Sequence, residues 1–129
     1  MPWVEIFAVF GVSHLVGDFL FQTEWQAKHK HGGLRDPRAR PALLAHIFSY
    51  TLAFVPALIW LSESLGAGVI WLAALVAAPH FVQDDGLVVD GFMTRIKRVD
   101  PREQPALTVT VDQTLHAVAL FLTALVAGS

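Results

Sequence analysis

An all-α membrane fold, a polytopic bundle of four transmembrane helices, is what this chain of 129 residues predicts, and three observations predict it. Hydrophobic residues make up 54% and charged ones only 16%, against about 25% charged in soluble domains, so lipid suits the chain better as a solvent than water. Four apolar segments, roughly residues 3–22, 42–61, 66–82 and 106–127, each approach the ~20 residues that cross a hydrocarbon core as a helix. All nine Lys and Arg fall in two of the connections between these segments. The length makes one domain over residues 1–129. A soluble bundle whose core helices are apolar all round fits these segment lengths poorly.

The first segment opens Met1-Pro2-Trp3-Val4-Glu5, without the positive start of a cleavable signal peptide, and is expected to remain as a span. Lys28, Lys30, Arg35, Arg38 and Arg40 follow it, in a connection that Gly32-Gly33 and Asp36-Pro37 mark as loop. Pro41 suits the first turn of the second helix, as Pro105 suits that of the fourth. Pro56 and Pro79 each remove a backbone donor inside a span, which kinks a helix or is simply tolerated there. Arg95, Lys97, Arg98 and Arg102 follow the third span, whereas both chain ends and the turn at 62–65 carry no Lys or Arg. By the positive-inside rule, connections 23–41 and 84–105 are cytoplasmic and both termini lie outside. Trp3 and Trp60 then suit the outer interface and Trp25 the inner one.

Within the second of these connections Val89, Phe92, Ile96 and Val99 recur at three- and four-residue steps, with Asp90, Thr94, Arg95, Lys97 and Arg98 between them. That pattern predicts an amphipathic interfacial helix over roughly 87–99 on the cytoplasmic leaflet; the alternative is an extension of the third helix kinked at Gly86. No internal repeat or low-complexity tract is expected, beyond the echo that spans one and three both end in His-x-x-x-Asp.

The apolar segments carry polar residues at helical spacing. His14, Asp18 and Gln22 lie at steps of four, His80 and Asp84 repeat the step, Asp112 and His116 reverse it, and His46 stands in the second span. Orientation places them in the cytoplasmic half of the bilayer, where an antiparallel bundle brings them together. No Lys or Arg lies within a span to pair with Asp18, Asp84 or Asp112, and an uncompensated intramembrane charge costs several kcal/mol or more. Protons, imidazolium partners or a metal ion must compensate them. Imidazoles and carboxylates without any cysteine suit zinc, iron, manganese or nickel better than copper(I), and seven candidate ligands, His14, Asp18, His46, His80, Asp84, Asp112 and His116, suffice for one or two ions. Gln22 and Gln113 are candidate partners that orient those ligands. A single His–Asp pair can equally be a packing contact between helices. His29 and His31 are expected in a solvated loop, with headgroup contact as the alternative, Asp85 at the interface, and Ser49 and Tyr50 on backbone carbonyls rather than hydrogen-bonded in the site. Net charge of −2 and the lack of interleaved aromatic and basic residues exclude a nucleic-acid platform.

The strings His14-x-x-x-Asp18-Phe19-x-x-Gln22 with Trp25 and Lys28, Leu43-x-x-His46-x-x-x-Tyr50, His80-Phe81-x-x-Asp84 and Asp112-Gln113-x-x-His116 cover nearly the whole chain. In that order they resemble a family of small bacterial membrane proteins known as domain of unknown function three-three-zero-seven. The resemblance implies the four-span fold and the polar positions and supplies no reaction; the membrane expected is the inner (plasma) membrane. The family usually has a Lys about one turn beyond Asp84, where this chain has Asp85, Gly86 and Leu87, so the role of that Lys does not carry over. A fainter similarity, resting on His and Asp in apolar helices, is to membrane-bound metal-dependent hydrolases.

The expectation is therefore an integral inner-membrane metalloprotein which, if catalytic, is a hydrolase acting on a lipid or lipid-linked substrate from the cytoplasmic leaflet. The ion would lower the pKa of bound water and polarise a phosphoryl or acyl oxygen, with Asp18 or Asp112 as the catalytic carboxylate. The alternatives are proton or metal-cation transport by a homo-oligomer, and a non-catalytic partner subunit of a membrane complex whose polar pairs only fix helix packing.

Overall fold

The computed structural model describes residues 2–129, and among them every regular element is helical. Helix α1 (Trp3–Leu15) follows an extended Pro2 and runs on through a π-helical turn, Val16–Leu20. A short helix α2 (Glu24–His29) stands in the first connection, where loop punctuation predicted none. It is started by a capping box in which Thr23 accepts from the Gln26 N–H and Gln26 accepts from the Thr23 N–H. Helices α3 (Arg40–Ala53) and α4 (Val55–Leu65) are separated by a single residue, Phe54, because Pro56 cannot donate to the carbonyl four residues back. After Gly66–Gly68 come α5 (Val69–Asp84), α6 (Leu87–Arg95) and α7 (Pro105–Ala127).

Among the described residues, three helical stretches are long and apolar enough to cross a membrane: Trp3–Leu20, Val55–Asp84 and Pro105–Ala127. The middle one is not a straight rod. Gly66 has φ 55° and ψ −130°, backbone that a residue with a Cβ rarely adopts, and α4 and α5 fold back on each other there. Ala57 and Leu61 before the turn share one core with Leu72 and Val76 after it.

Around the bundle, α1 packs on α7, α7 on α5 and α5 on α3, and the π-turn closes the ring against α3. One end is filled by Ile6, Phe10, Phe54, Leu61, Leu72, Leu120 and Ala124. The outward faces are apolar as well: Val12, Phe19, Phe48, Ile59, Ile70, Trp71 and Val126 are all exposed, a distribution that water penalises and lipid does not. Helix α6 ends at Arg95, short of the expected 99, and Val89 and Met93 are buried against Val111 with Leu107 and Leu115 around them. It is thus packed on the first turns of α7.

A repeat absent from the expectations emerges in the two connections. Asp36-Pro37-Arg38-x-x-Pro41-Ala42-Leu43 leads into α3, and Asp100-Pro101-Arg102-x-x-Pro105-Ala106-Leu107 leads into α7. Their geometry matches: the Arg38 N–H donates to Asp36 Oδ1 at 2.9 Å, and the Arg102 N–H to Asp100 Oδ1 at 2.8 Å. These bonds, with the guanidinium groups, hold both carboxyls below their usual range. Together with the two His-x-x-x-Asp ends they make α1–α2–α3 and α5–α6–α7 corresponding halves, which the packing of α1 on α7 and of α5 on α3 reproduces.

Candidate metal centre

Four buried side chains from three helical stretches meet at one point near the end of the bundle opposite the apolar core. Asp18 comes from the π-turn, His46 from α3, His80 and Asp84 from α5. The π-turn adds a residue to the helical ladder and so re-aims Asp18; such insertions recur at functional sites. His46 Nε2 lies 2.9 Å from His80 Nε2, 3.1 Å from Asp18 Oδ1 and 2.5 Å from Asp84 Oδ2. His80 Nε2 lies 3.3 Å from Asp18 Oδ1 and 3.0 Å from Asp84 Oδ2.

Hydrogen bonds alone satisfy this cluster badly. Each Nε2 offers one proton or one lone pair, yet each faces three atoms, so among the described residues the two rings cannot serve Asp18, Asp84 and each other at once. Donors bound at about 2.0–2.1 Å around a tetrahedral ion stand about 3.3 Å apart. The nitrogen–nitrogen and nitrogen–oxygen separations run from 2.5 to 3.3 Å, so a cation at the centre of the four atoms would draw them apart to that spacing and take all four lone pairs.

The other candidate residues surround this point in different ways. Both nitrogens of His14 are occupied: Nδ1 pairs with the Tyr50 hydroxyl at 2.8 Å and Nε2 with Gln113 Oε1 at 2.7 Å. His14 therefore stands outside the convergent donors, 3.7 Å from Asp18. Gln113 donates weakly to Asp18 Oδ2 and Asp112 Oδ2, each at 3.4 Å. Gln22 donates to the Asp18 carbonyl and accepts from Lys30. Asp84 faces two ways, its Oδ2 toward His46 and His80 and its Oδ1 toward His116 Nε2 at 3.1 Å. Asp84, Asp112 and His116 form a second group whose donors all lie within 4.8 Å of one another.

Three residues have roles that the sequence-based expectations missed. Tyr50, expected on a backbone carbonyl, stacks on the His80 ring at 3.4 Å and 5° and fits there because Gly17 has no Cβ; its position four residues after His46 was the available signal. Ser49 does bond the His46 carbonyl as expected. Lys30 reaches into the site from the end of α2, 2.9 Å from Asp84 Oδ2 and 2.6 Å from Gln22 Oε1. The compensating cation missing from the spans is thus supplied by a connection. Asp85, expected at the interface, is buried and ties that connection down: it accepts from the Leu34 N–H at 2.9 Å and from Arg35 at 3.3 Å, while its carbonyl accepts from the Gly32 N–H. His29 is exposed as expected, and His31 packs on Gly86.

A cavity of about 100 Å³, lined by Lys30, Gln83, Asp84, Gly86, Thr108 and Asp112, opens from the cluster toward this end of the bundle. His31, Asp90 and Thr108 are shared with a wider basin of about 810 Å³ that Arg98 and Arg102 border. The family model described as protein of unknown function (DUF3307) matches residues 6–128. No curated protein and no solved structure matches the chain.

Proposed function

The chain belongs to the DUF3307 family, and on that premise we propose that it is a four-span protein of the bacterial inner membrane which holds a divalent transition-metal ion and uses it to hydrolyse a lipid or lipid-linked substrate. The observation that carries this reading is the convergence of Asp18, His46, His80 and Asp84 on one point. Zinc, iron, manganese and nickel all suit such a donor set.

Four spans follow if α3 and α4 count as one path. Residues 40–65 reach about 39 Å at 1.5 Å per residue, more than the ~30 Å hydrocarbon core, and the hairpin at Gly66 separates them from α5. The Lys and Arg of 23–41 and 84–105 then face the cytoplasm. The chain contains no cysteine, so single-cysteine labelling tests the arrangement directly. A membrane-impermeant thiol reagent should label Ser62→Cys from outside and Arg38→Cys only after the membrane is opened.

A bound ion would lower the pKa of its water and polarise a phosphoryl or acyl oxygen. Asp112, partly exposed beside the cavity, is placed to take a proton from water, and the Lys30 ammonium to hold an anionic group. His14, Tyr50 and Gln113 hold the ligands in place. The apolar core at the opposite end favours a site served from the cytoplasmic side over a conduit through the bundle. Elemental analysis of the purified protein tests the reading: about one equivalent of a transition metal is expected. Less than about 0.2 equivalents, with stability unchanged by chelators, would exclude it.

A further inference from the structure

We propose a second divalent-cation site in the same chain, formed by Asp84 Oδ1, His116 Nε2 and a carboxylate oxygen of Asp112, with Asp84 bridging the two ions. The inference rests on the reading that Asp18, His46, His80 and Asp84 hold a first ion, and extends it from one ion to two.

Three observations lead here. His116 Nδ1 lies 2.7 Å from the Asp112 carbonyl oxygen, and a carbonyl can only accept, so Nδ1 carries the proton. In the neutral ring the lone pair is then on Nε2, aimed at the lone pairs of Asp84 Oδ1 from 3.1 Å. Two lone pairs facing each other in a buried site need a proton or a metal cation between them, and the 3.1 Å separation serves either. Secondly, Asp84 is already committed on its other oxygen, Oδ2, to His46 and His80. One carboxylate presenting its two oxygens to two separate groups of nitrogen donors is the bridging arrangement of paired-metal sites, whose ions stand about 3.5–4 Å apart. Thirdly, the two sites differ in access. Asp18, His46, His80 and Asp84 are all buried, whereas Asp112 is partly exposed and lines the cavity with Asp84 and Lys30.

The ligand count fits this difference. The first site offers four protein donors, to which a five-coordinate ion adds one water; the second offers three, which leaves more positions for water or a substrate oxygen. About 100 Å³ has room for a few waters at ~30 Å³ each. One oxygen of Asp112 would serve the ion and leave the other to accept a proton. Charge balance agrees with a site that receives an anion: Asp18, Asp84 and Asp112 against Lys30 leave two negative charges, which a single divalent ion neutralises. A second ion would call for an anionic ligand from the cavity.

Titration of the full-length protein in detergent with Mn²⁺ tests the site by calorimetry and electron paramagnetic resonance. Two equivalents per chain are expected, with an exchange-coupled spectrum at full loading. In Asp112→Asn and His116→Gln the second equivalent should weaken at least tenfold and the coupled signal disappear, while the first equivalent stays. A single uncoupled equivalent in the wild-type protein would overturn the second site and leave the first intact. A second equivalent that persists unweakened in both variants would overturn it too. No bound Mn²⁺ at all would overturn both sites together. The wild-type spectrum decides the matter without reference to how the variants fold.

Discussion

Replacing Gly17 with alanine probes the support of the candidate metal centre without touching a candidate ligand. An added Cβ would lie 2.6 Å from Tyr50 Cδ2 and 3.2 Å from both Tyr50 Cα and Cγ, where carbon atoms prefer about 3.5–4.0 Å. Because one of the obstructing atoms is backbone, rotating the ring does not relieve the overlap, and the π-turn and α3 must separate. Overpacking of this kind costs about 1–3 kcal/mol, and here the upper end is expected. Alanine also gains roughly 1 kcal/mol over glycine in helix propensity, so the net loss is about 2 kcal/mol. Gly11, two turns earlier on the same helix, is the control, since nothing lies within 4 Å of its added Cβ. Gly11→Ala should be neutral or gain up to about 1 kcal/mol. The propensity gain largely cancels between the two variants, so their difference, about 3 kcal/mol, reports the contact with Tyr50. Unfolding in detergent measures it. Displacing Tyr50 also frees the His80 ring stacked on it, and loss of such a supporting partner typically weakens metal binding ~10–100-fold. If Gly17→Ala unfolded together with Gly11→Ala and bound metal as tightly as the wild type, the packing argument would be refuted.

Other perturbations test the remaining contacts. Lys30→Met keeps the aliphatic stem and leaves the buried Asp84 carboxylate without its ammonium; the metal-free protein should lose about 3 kcal/mol, and added Zn²⁺ should restore most of it. An equal loss in thermal scans with and without metal would contradict that. Asp85→Ala strips the half-buried Leu34 N–H of its acceptor and should cost about 1–3 kcal/mol, whereas Arg35→Ala, removing a largely exposed partner, should cost no more than about 1 kcal/mol. Comparable unfolding midpoints for the two would sink this account of the connection. Tyr50→Phe retains the stacking and removes only the hydroxyl on His14, so a loss of about 1–2 kcal/mol is expected in chemical denaturation, much less than for Tyr50→Ala.

The repeat at Asp36–Leu43 and Asp100–Leu107 is legible in the residues, though not in register with the other shared motif. The two octets lie 64 residues apart and the two His-x-x-x-Asp motifs 66 apart, so no single offset aligns both. Asp84 shows the opposite case. Its spacing from His80 was visible, but not that its two oxygens serve different groups, because that depends on which helix lies on each side.

By itself the sequence determined whatever depends on neighbours along one helix or on bulk solvation. Those properties are the helical class, the length and apolarity of the spans, the concentration of positive charge in two connections, and the His–Asp pairs, which any α-helix puts on one face four residues apart. Tertiary structure alone decided the partners. It turned His14 away toward Tyr50 and Gln113, brought Lys30 onto Asp84, buried Asp85 beneath the first connection and set four donor atoms about 3 Å apart. Helical periodicity is a local rule and survives any packing, whereas a contact between residues dozens of positions apart depends on the rotation and depth of two helices and on where a π-turn or a loop redirects the chain.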